Sequence, residues 1–569
     1  MKPRLHAVAL ALVLAGSFVL KLHHLDHAAV KPLDEVFHAI VARNLLKHPL
    51  TPTLVDRPYL PYDYRDWQSD HIWLHKPPLA LWQIALSYAI LGVNALALRL
   101  PSAIFSTLAA WLTYLVGKEL LDRTAGLIAA ALQAFNPTLL MMVHGYVFSD
   151  HVDISLLFWT EAAIYFLARA VHNGRTAELA LCGVAQGLAF LSKNFPALVV
   201  SGLVLVAWLL PRTGLAKHGT SRVSGRGVLV MLAATAAVAM PWTIYSFIRF
   251  PAEAQYANSI LWQHFSGNVE HWAAPWDRVI FTYWIEIFHV YYPAVLAAAA
   301  VLTIRGVRHR QMGLWLVLAW AAGVTLPNLL AVSKTMTATV IGWPAMWLML
   351  GYLIWLALCG DAWALGTWLA AMLLPAIFLN RQSIPHEGWG YDPHGSIMLQ
   401  HLWVIWQVVG ALAIGAGVAW IMRRRSGLRR PLVVVATLAM LYLGVRWWQG
   451  AVPRGYAFVA CQVTLEHKDR PNFLAVGQFA QSLPADAAFI VDENDRLENK
   501  LLEFAADRSC YRMDGGDWRL QAGALTEAGA LPYLVSSRPQ ALPAVFIDRD
   551  EQHNVYACTP AALAAASKQ

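Results

Sequence analysis

The chain has 569 residues, of which 58% are hydrophobic and only 14% charged, against ~25% charged in ordinary soluble domains. That balance excludes a soluble enzyme, a disordered protein and a nucleic-acid binder. The formal charge of +8 comes from basic residues in short loops between apolar runs, the pattern of a membrane protein and not of a nucleic-acid face.

The first apolar run, Ala7 to Leu22, follows a basic start. A cleaved signal peptide has the same shape, but no small-x-small site follows, so the run is expected to stay as a helix with its N-terminus in the cytoplasm. Residues 23–98 then form a long first external loop. Its apolar stretch Leu79–Leu91 is expected to lie against the bundle as an external juxtamembrane helix, because a full span there would put the basic loops at 118–123 and 212–226 outside. Further spans are predicted near 99–117, 124–143, 154–170, 178–191, 196–210, 228–247, 279–303, 313–332, 339–358, 364–379, 401–422 and 431–448, making about thirteen with the first helix. This threading places Lys118–Arg123, Arg212–Arg226, Arg305–Arg310 and Arg423–Arg430 inside, as charge bias requires. The spans and the first loop make one transmembrane domain over 1–448. Residues 449–569 read as a separate extracytoplasmic α/β domain, with strand-like stretches at 488–492, 532–535 and 544–548 and an amphipathic helix from Arg496. Of the five cysteines, Cys182, Cys359, Cys461, Cys510 and Cys558, none has metal-type spacing. A disulfide among Cys461, Cys510 and Cys558 is allowed on that side of the membrane, and the pairing is open.

With the topology threaded, the informative residues are charges where charge bias disfavours them. The first loop carries Asp34-Glu35, the acids Asp56, Asp63, Asp66 and Asp70, and then His75-Lys76-Pro77-Pro78. Lys193 and Lys334 occupy tight external turns, and Asp150-His151-Val152-Asp153 opens a further helix on the same face. Each lysine alone could snorkel to lipid phosphates and each acid could be a solvated loop residue. Three lysines from separate parts of the chain at one membrane depth have a more economical common partner in a bound phosphate. Asp34 beside such a cluster would accept a proton from an incoming hydroxyl, while the lysines stabilise charge on a leaving phosphate. Capping of the helix that begins at Asp34 is the plain alternative for this acidic pair.

Asp34-Glu35, Lys76-Pro77-Pro78-Leu79, Arg99-Leu-Pro-Ser-Ala103, Leu191-Ser-Lys193, Pro241-Trp242 and Ser333-Lys-Thr335 occur in that order over roughly residues 1–360. The set resembles the GT-C glycosyltransferases that use a polyprenyl-phosphate sugar donor, in particular the aminoarabinose transferases of lipid A and the protein O-mannosyltransferases. The resemblance implies a multi-pass enzyme of the bacterial inner membrane, with its C-terminus in the periplasm. Such an enzyme moves one sugar, with inversion, to an extracytoplasmic acceptor: lipid A or another glycolipid, a glycan or a protein. It implies Asp34, as base or acceptor-positioning group, and Glu35 as the catalytic carboxylates, Lys76, Lys193 and Lys334 as contacts to the donor phosphate, and His264 as a residue of the large external loop. The fourth-span carboxylate of the family matches either Asp150 or Asp153. The chain departs from the family at His75, where glutamate is common, at Phe37, where arginine is common, and at Met336 and Thr339 after Ser-Lys-Thr. These departures bear on the sugar and the acceptor.

No cofactor is expected. The alternative is a divalent metal, zinc or magnesium, on His75 and His264, since the lost glutamate leaves a histidine there. A transporter or flippase of a lipid-linked or anionic substrate is the competing class. Against it stand the lack of an inverted repeat and the scarcity of mid-span charges, with Glu161 and Glu286 as isolated cases.

Overall fold

The computed structural model describes residues 3–26, 30–31, 34–146, 150–217, 219–269, 273–276, 279–288, 291–378, 397–424, 473–492, 498–513, 517–548 and 553–559, with isolated positions between 427 and 438 and at 561. The apolar start forms α1 (Pro3–Leu22). Next come α2 (Asp34–Leu45) and α3 (Leu79–Leu91), of 12 and 13 residues, both too short to cross a bilayer. α4 (Ala95–Leu120) opens on Asn94, whose side chain accepts the Ala97 N–H at 2.9 Å and so satisfies a first-turn amide. The predicted span at 124–143 is bent by 52° into α5 (Arg123–Ala134) and α6 (Pro137–Val143). Pro137 has no N–H for the ladder, and the Asn136 side chain caps the second piece through Leu139 N–H at 3.1 Å.

The bundle continues through α7 (Asp150–Asn173), α8 (Thr176–Lys193), α9 (Val199–Leu209) and α10 (Gly225–Arg249), then turns into α11 (Pro251–Ser266). Over the predicted span at 279–303, a π-helical turn leads into α12 (Trp284–Phe288), and α13 (Tyr292–His309) has Pro293 in its first turn, where a missing N–H costs nothing; residues 289–290 lie outside the described residues. α14 (Met312–Leu330), α15 (Trp343–Leu358), α16 (Ala362–Phe378) and α17 (Ile397–Arg424) complete the bundle.

Among the described residues, eight helices are long and apolar enough to cross a membrane, or nine if the bent α5–α6 pair is one span. α8, α13 and α16 occupy three more predicted positions but fall short of that standard in length or apolarity, and the span expected at 431–448 lies largely outside the described residues. The helices pack through small residues. A Cβ on Gly117 of α4 would lie 2.4 Å from Gly126 Cα of α5, and one on Gly183 of α8 would lie 2.2 Å from the Met231 carbonyl of α10. Lipid tails are as apolar as leucine, so helix association leans on such close backbone approach.

One polar cluster sits among these helices. Thr113 Oγ lies 2.6 Å from Gln133 Oε1 and 2.7 Å from Glu161 Oε2, and Gln133 Nε2 donates to Glu161 Oε1 at 2.7 Å. Three contacts need three protons; threonine and glutamine supply one each whichever way the amide is turned, so the ring closes with Glu161 as the neutral acid. Glu161 is therefore an internally satisfied tie between α4, α5 and α7, not an open mid-membrane charge.

Beyond the bundle, β1 (Ala487–Asp492), β2 (Cys510–Arg512), β3 (Leu531–Ser536), β4 (Ala544–Ile547) and β5 (Asn554–Ala557) form one sheet in the order β2-β1-β3-β5-β4. β1 is parallel to both β2 and β3, whereas β5 runs antiparallel to β3 and β4. The associated helices are α18 (Leu474–Gln481), α19 (Glu498–Ala506) and α20 (Trp518–Glu527). β1, β3 and β4 fall on the stretches read as strands, while β2 and β5 lie outside them. Ala487, Phe489 and Val491 share an apolar cluster with Phe37, Ile40 and Leu45 of α2, whereas Ala488 and Ile490 face the opposite cluster. This alternation buries both faces of β1, as a central parallel strand requires.

The sheet unit is clasped to α2. Arg43 donates to the Glu503 and Phe504 carbonyls at 3.2 and 2.9 Å and pairs with Asp507 at 3.2 Å, placing a cation on the C-terminal end of α19. Tyr59 N–H donates to Tyr511 Oη at 2.8 Å, and Ser509 donates to the Arg57 carbonyl at 2.7 Å. Cys510 and Cys558 are both free thiols; Cys461, the third cysteine of the expected disulfide set, and the boundary at 449 lie outside the described residues.

Candidate active site

α2, α4 and α7 all begin, and α8 and α14 both end, at one end of the bundle, so residues far apart in sequence meet there. Glu35 is fully buried among them. Arg99 grips it with two hydrogen bonds, Nε to Oε1 at 2.7 Å and Nη2 to Oε2 at 3.0 Å. His151 Nε2 lies 3.4 Å from Oε1, and the Lys31 N–H donates to Oε2 at 2.6 Å. Ser102 Oγ, at 2.6 Å from His151 Nδ1, holds the imidazole in place. Burial alone would raise the Glu35 carboxyl, but the charge of Arg99 and the bonds from His151 and Arg99 outweigh it and hold the group far below the usual carboxylate range. Both oxygens are thus committed to donors.

Gly145 closes this pocket with φ +77°, and a Cβ there would lie 2.3 Å from the Glu35 carboxyl carbon. Gly145→Ala is expected to cost about 3–5 kcal/mol, because the methyl group displaces a buried ion pair and the backbone sits in the left-handed region. Thermal unfolding of the detergent-purified protein checks this; an unchanged midpoint would mean that the loop relocates without disturbing Glu35.

A second group forms around His38, one turn along α2 from Asp34. Burial lowers His38 to about 4; the charges of Asp34, Glu35 and Asp153 oppose that shift, and Lys76 adds to it. His75 is also pushed well down, first by burial and then by Lys76, with His264 and His38 adding and Asp34 opposing. Both imidazoles are therefore neutral at physiological pH, and Asp34, Lys76, His38, His75 and Asp153 lie within electrostatic reach of one another. Asp34 itself is half-buried, as its neighbour Glu35 is not.

Asp153 is fully buried and pairs with Lys193 Nζ at 2.6 Å, where α7 begins and α8 ends. Thr337, three residues beyond Lys334, hydrogen-bonds the same carboxylate and brings the Ser-Lys-Thr segment to this end of the bundle. Of the two expected fourth-span carboxylates, Asp153 is the one seen in the cluster; the Asp150 side chain lies outside the described residues.

Lys334 differs from the other two lysines. Its ammonium donates to the Leu329 carbonyl at 3.2 Å and to the Ala331 carbonyl, so it caps the C-terminal end of α14. The surrounding turn is stitched to the 264–274 loop: Ser333 N–H donates to the His264 carbonyl at 3.0 Å, and Ser333 Oγ donates to the Gly267 carbonyl at 2.7 Å. His264 Nδ1 lies 2.8 Å from its own helix's Ile260 carbonyl. Among the described residues no three His, Cys, Asp or Glu side chains converge as a metal-ligand set. His75 and His264, the pair considered for a metal, act on each other without a third ligand joining them. Sequence alone gives Arg99 and His151 no role; their only local signal is a charged or titratable residue at the start of an otherwise apolar span.

Three comparisons bear on this arrangement. Residues 75–245 match the profile of the dolichyl-phosphate-mannose-protein mannosyltransferase family, a stretch that contains Lys76, Arg99, Asp153 and Lys193. The structure superposes on ArnT from Cupriavidus metallidurans bound to undecaprenyl phosphate with a TM-score of 0.60 at 17% identity, covering 97% of this chain and 98% of that one. The chain has the GT-C fold of the polyprenyl-phosphate-dependent glycosyltransferases. It is a polytopic helical membrane protein. An undecaprenyl phosphate-alpha-4-amino-4-deoxy-L-arabinose arabinosyl transferase of Pseudomonas aeruginosa is 29% identical over 223 residues. A protein of the same name from Pseudomonas savastanoi is 25% identical over 226 residues. The Pseudomonas aeruginosa alignment covers 37% of this chain and 38% of the relative, so only a little over a third of each sequence is matched.

Proposed function

We propose that the chain transfers one sugar from a polyprenyl-phosphate carrier to an extracytoplasmic acceptor, at the outer face of a bacterial inner membrane. The observation that carries this reading is the convergence of Asp34 with Lys76 and the Asp153–Lys193 pair at one end of a GT-C bundle. The names of the Pseudomonas and Cupriavidus relatives support an undecaprenyl-phosphate donor. The positive-inside pattern supports placing the N-terminus in the cytoplasm and the sheet unit outside.

In this scheme the acceptor hydroxyl gives its proton to Asp34 as its oxygen bonds to the anomeric carbon. The bond from that carbon to the phosphate oxygen breaks with inversion, and the phosphate leaves with the electron pair. Lys76 and Lys193 meet the charge that builds on the phosphate, Lys193 being positioned by Asp153. Lys334 joins them only by exchanging its helix-capping carbonyls for a phosphate oxygen. Glu35, committed to Arg99 and His151, fixes the start of α2 and so aims Asp34; its role is positioning rather than proton transfer.

The decisive experiment incubates the purified full chain in detergent with a radiolabelled polyprenyl-phosphate sugar and envelope lipids. Donor cleavage and transfer without a sealed membrane are expected. Donor that is never cleaved, yet crosses sealed vesicles containing the protein, would establish the flippase reading instead. In the same assay Lys76→Gln is expected to raise the donor's apparent KM about 10- to 100-fold, the loss of one charge-assisted contact worth about 1.5–3 kcal/mol. An unchanged KM would remove Lys76 from the phosphate site.

A further inference from the structure

The end of the bundle opposite the Asp153–Lys193 pair carries a cluster of cations that the proposed chemistry does not use. α9 begins shortly after Lys193 and runs away from it to a short helical turn at Leu210–Arg212. α10 begins at Gly225 and α13 ends at His309, so the 210–226 and 305–311 segments meet at this end. They are tied together. Lys217 N–H donates to the Arg310 carbonyl at 3.1 Å, the Trp315 indole N–H donates to the Leu215 carbonyl at 3.0 Å, and Arg222 N–H donates to the Val171 carbonyl at 3.0 Å. The Arg212 guanidinium lies over the Trp208 ring at 4.9 Å, and that ring packs against Gly225, where a Cβ would lie 3.4 Å from it.

Arg212, Lys217, Arg222, Arg226, Arg308 and Arg310 are all exposed on these joined segments. Residues 210–226 and 305–311 contain no aspartate or glutamate. The carboxylates nearby in the topology are engaged elsewhere: Glu119 with Lys118 at 3.4 Å, Glu178 with Arg169 at 2.7 Å, Asp361 with Arg305, and Asp122 with the Thr124 N–H at 2.6 Å. Fixed charges of one sign without internal counter-charge attract an anion from outside. The surface leading to them is apolar. Leu205 and Leu209 are exposed seven and three residues before Arg212, Leu229 three residues after Arg226, and Ile304 four residues before Arg308. Helical residues three, four or seven apart share a face, so three exposed apolar columns each end in an arginine.

We infer that the joined 210–226 and 305–311 segments bind an anionic glycerophospholipid, its headgroup phosphate between the two segments and its acyl chains along the apolar columns. A single surface cation reaches any lipid phosphate, whereas a cluster without counter-charge favours a headgroup of net negative charge over a zwitterionic one. A free phosphate would gain from the cations but not from the columns. The charge threading puts this lipid in the cytoplasmic leaflet, a membrane's thickness from Asp34. The inference is independent of sugar transfer, and binding in detergent is measured without reference to sidedness.

Native mass spectrometry and thermal unfolding of the full chain in detergent test it, with phosphatidylglycerol, phosphatidylcholine and sodium phosphate as separate probes. Phosphatidylglycerol is expected to stay bound and to raise the melting temperature, and the other two at the same concentration are expected to do neither. Arg212→Gln, Lys217→Gln and Arg310→Gln combined are expected to weaken phosphatidylglycerol about 100-fold, roughly fivefold for each cation. Melting with wild type in lipid-free detergent reports that this variant is folded; should it not fold, Lys217→Gln alone is expected to weaken the lipid about fivefold. Arg519→Gln, an exposed cation of the sheet unit, is expected to leave binding unchanged. The inference is overturned if phosphatidylglycerol does not bind, if phosphatidylcholine or sodium phosphate matches it, if the substitutions in the two segments leave it unweakened, or if Arg519→Gln weakens it equally. A protein that binds phosphatidylglycerol in this way but never cleaves the sugar donor would overturn the glycosyltransferase reading and leave the lipid site standing.

Discussion

Asp34→Asn is expected to abolish sugar transfer, lowering kcat by about 10²–10⁴-fold, the usual contribution of a positioned general base. Expression, thermal stability and donor binding are expected to stay close to wild type. The substitution keeps shape and removes only the ability to take a proton. Asparagine serves a helix start almost as well as aspartate, and the lost charge–dipole interaction at the first turn of α2 is worth about 0.3–1 kcal/mol. A large kinetic loss with a small stability loss therefore separates catalysis from capping, the two roles open to this residue. Measured turnover of a radiolabelled donor beside thermal unfolding decides the point, and wild-type turnover in Asp34→Asn would remove Asp34 from the mechanism.

Arg99→Met is expected to have the opposite profile. It strands the Glu35 carboxylate, with a side chain at 0% exposure, without its bidentate partner. Removing one member of a buried pair costs about 3–5 kcal/mol, a large fraction of the ~5–15 kcal/mol that holds a typical domain. Yield and melting temperature of the membrane-extracted protein are expected to fall together. The double variant Glu35→Leu with Arg99→Met is expected to recover much of that stability, because no buried charge is left uncompensated. Its activity is expected to stay low, since the carboxylate that receives Lys31 N–H and orders the turn before Asp34 is gone. Full activity in the double variant would mean that the pair has no part in aiming α2.

The sign of the pH effect follows from the same pair. Glu35 is held below its ordinary value of 4.5, so its contribution to stability is complete above that pH and declines as the pH falls below it toward the folded-state value. An acid-induced loss of structure that is blunted in the double variant would identify Glu35 as a source.

Much of the architecture was legible in the chain because lipid leaves little choice: an apolar run of about 20 residues must become a helix, and basic short loops must stay inside. The span expected at 99–117, which forms most of α4, and the short helix Leu79–Leu91 were readable for that reason. The bend at Asn136-Pro137 was not. A proline marks where a ladder is interrupted, but packing decides whether the helix merely bends or restarts.

The candidate site divides in the same way. Residue type and spacing alone marked Asp34, Lys76, Lys193 and Lys334 as charges in costly positions. Only the folded chain separated Asp34 from its neighbour Glu35, since successive residues on a helix point in different directions and one of them meets Arg99 and His151 in a dry interior. Only the folded chain gave Lys193 its carboxylate 40 positions away and turned Lys334 onto the end of its own helix. Sequence specifies which groups must find partners, because an unpaired charge beside hydrocarbon is expensive; which partner each one finds depends on distances in space that no local pattern encodes.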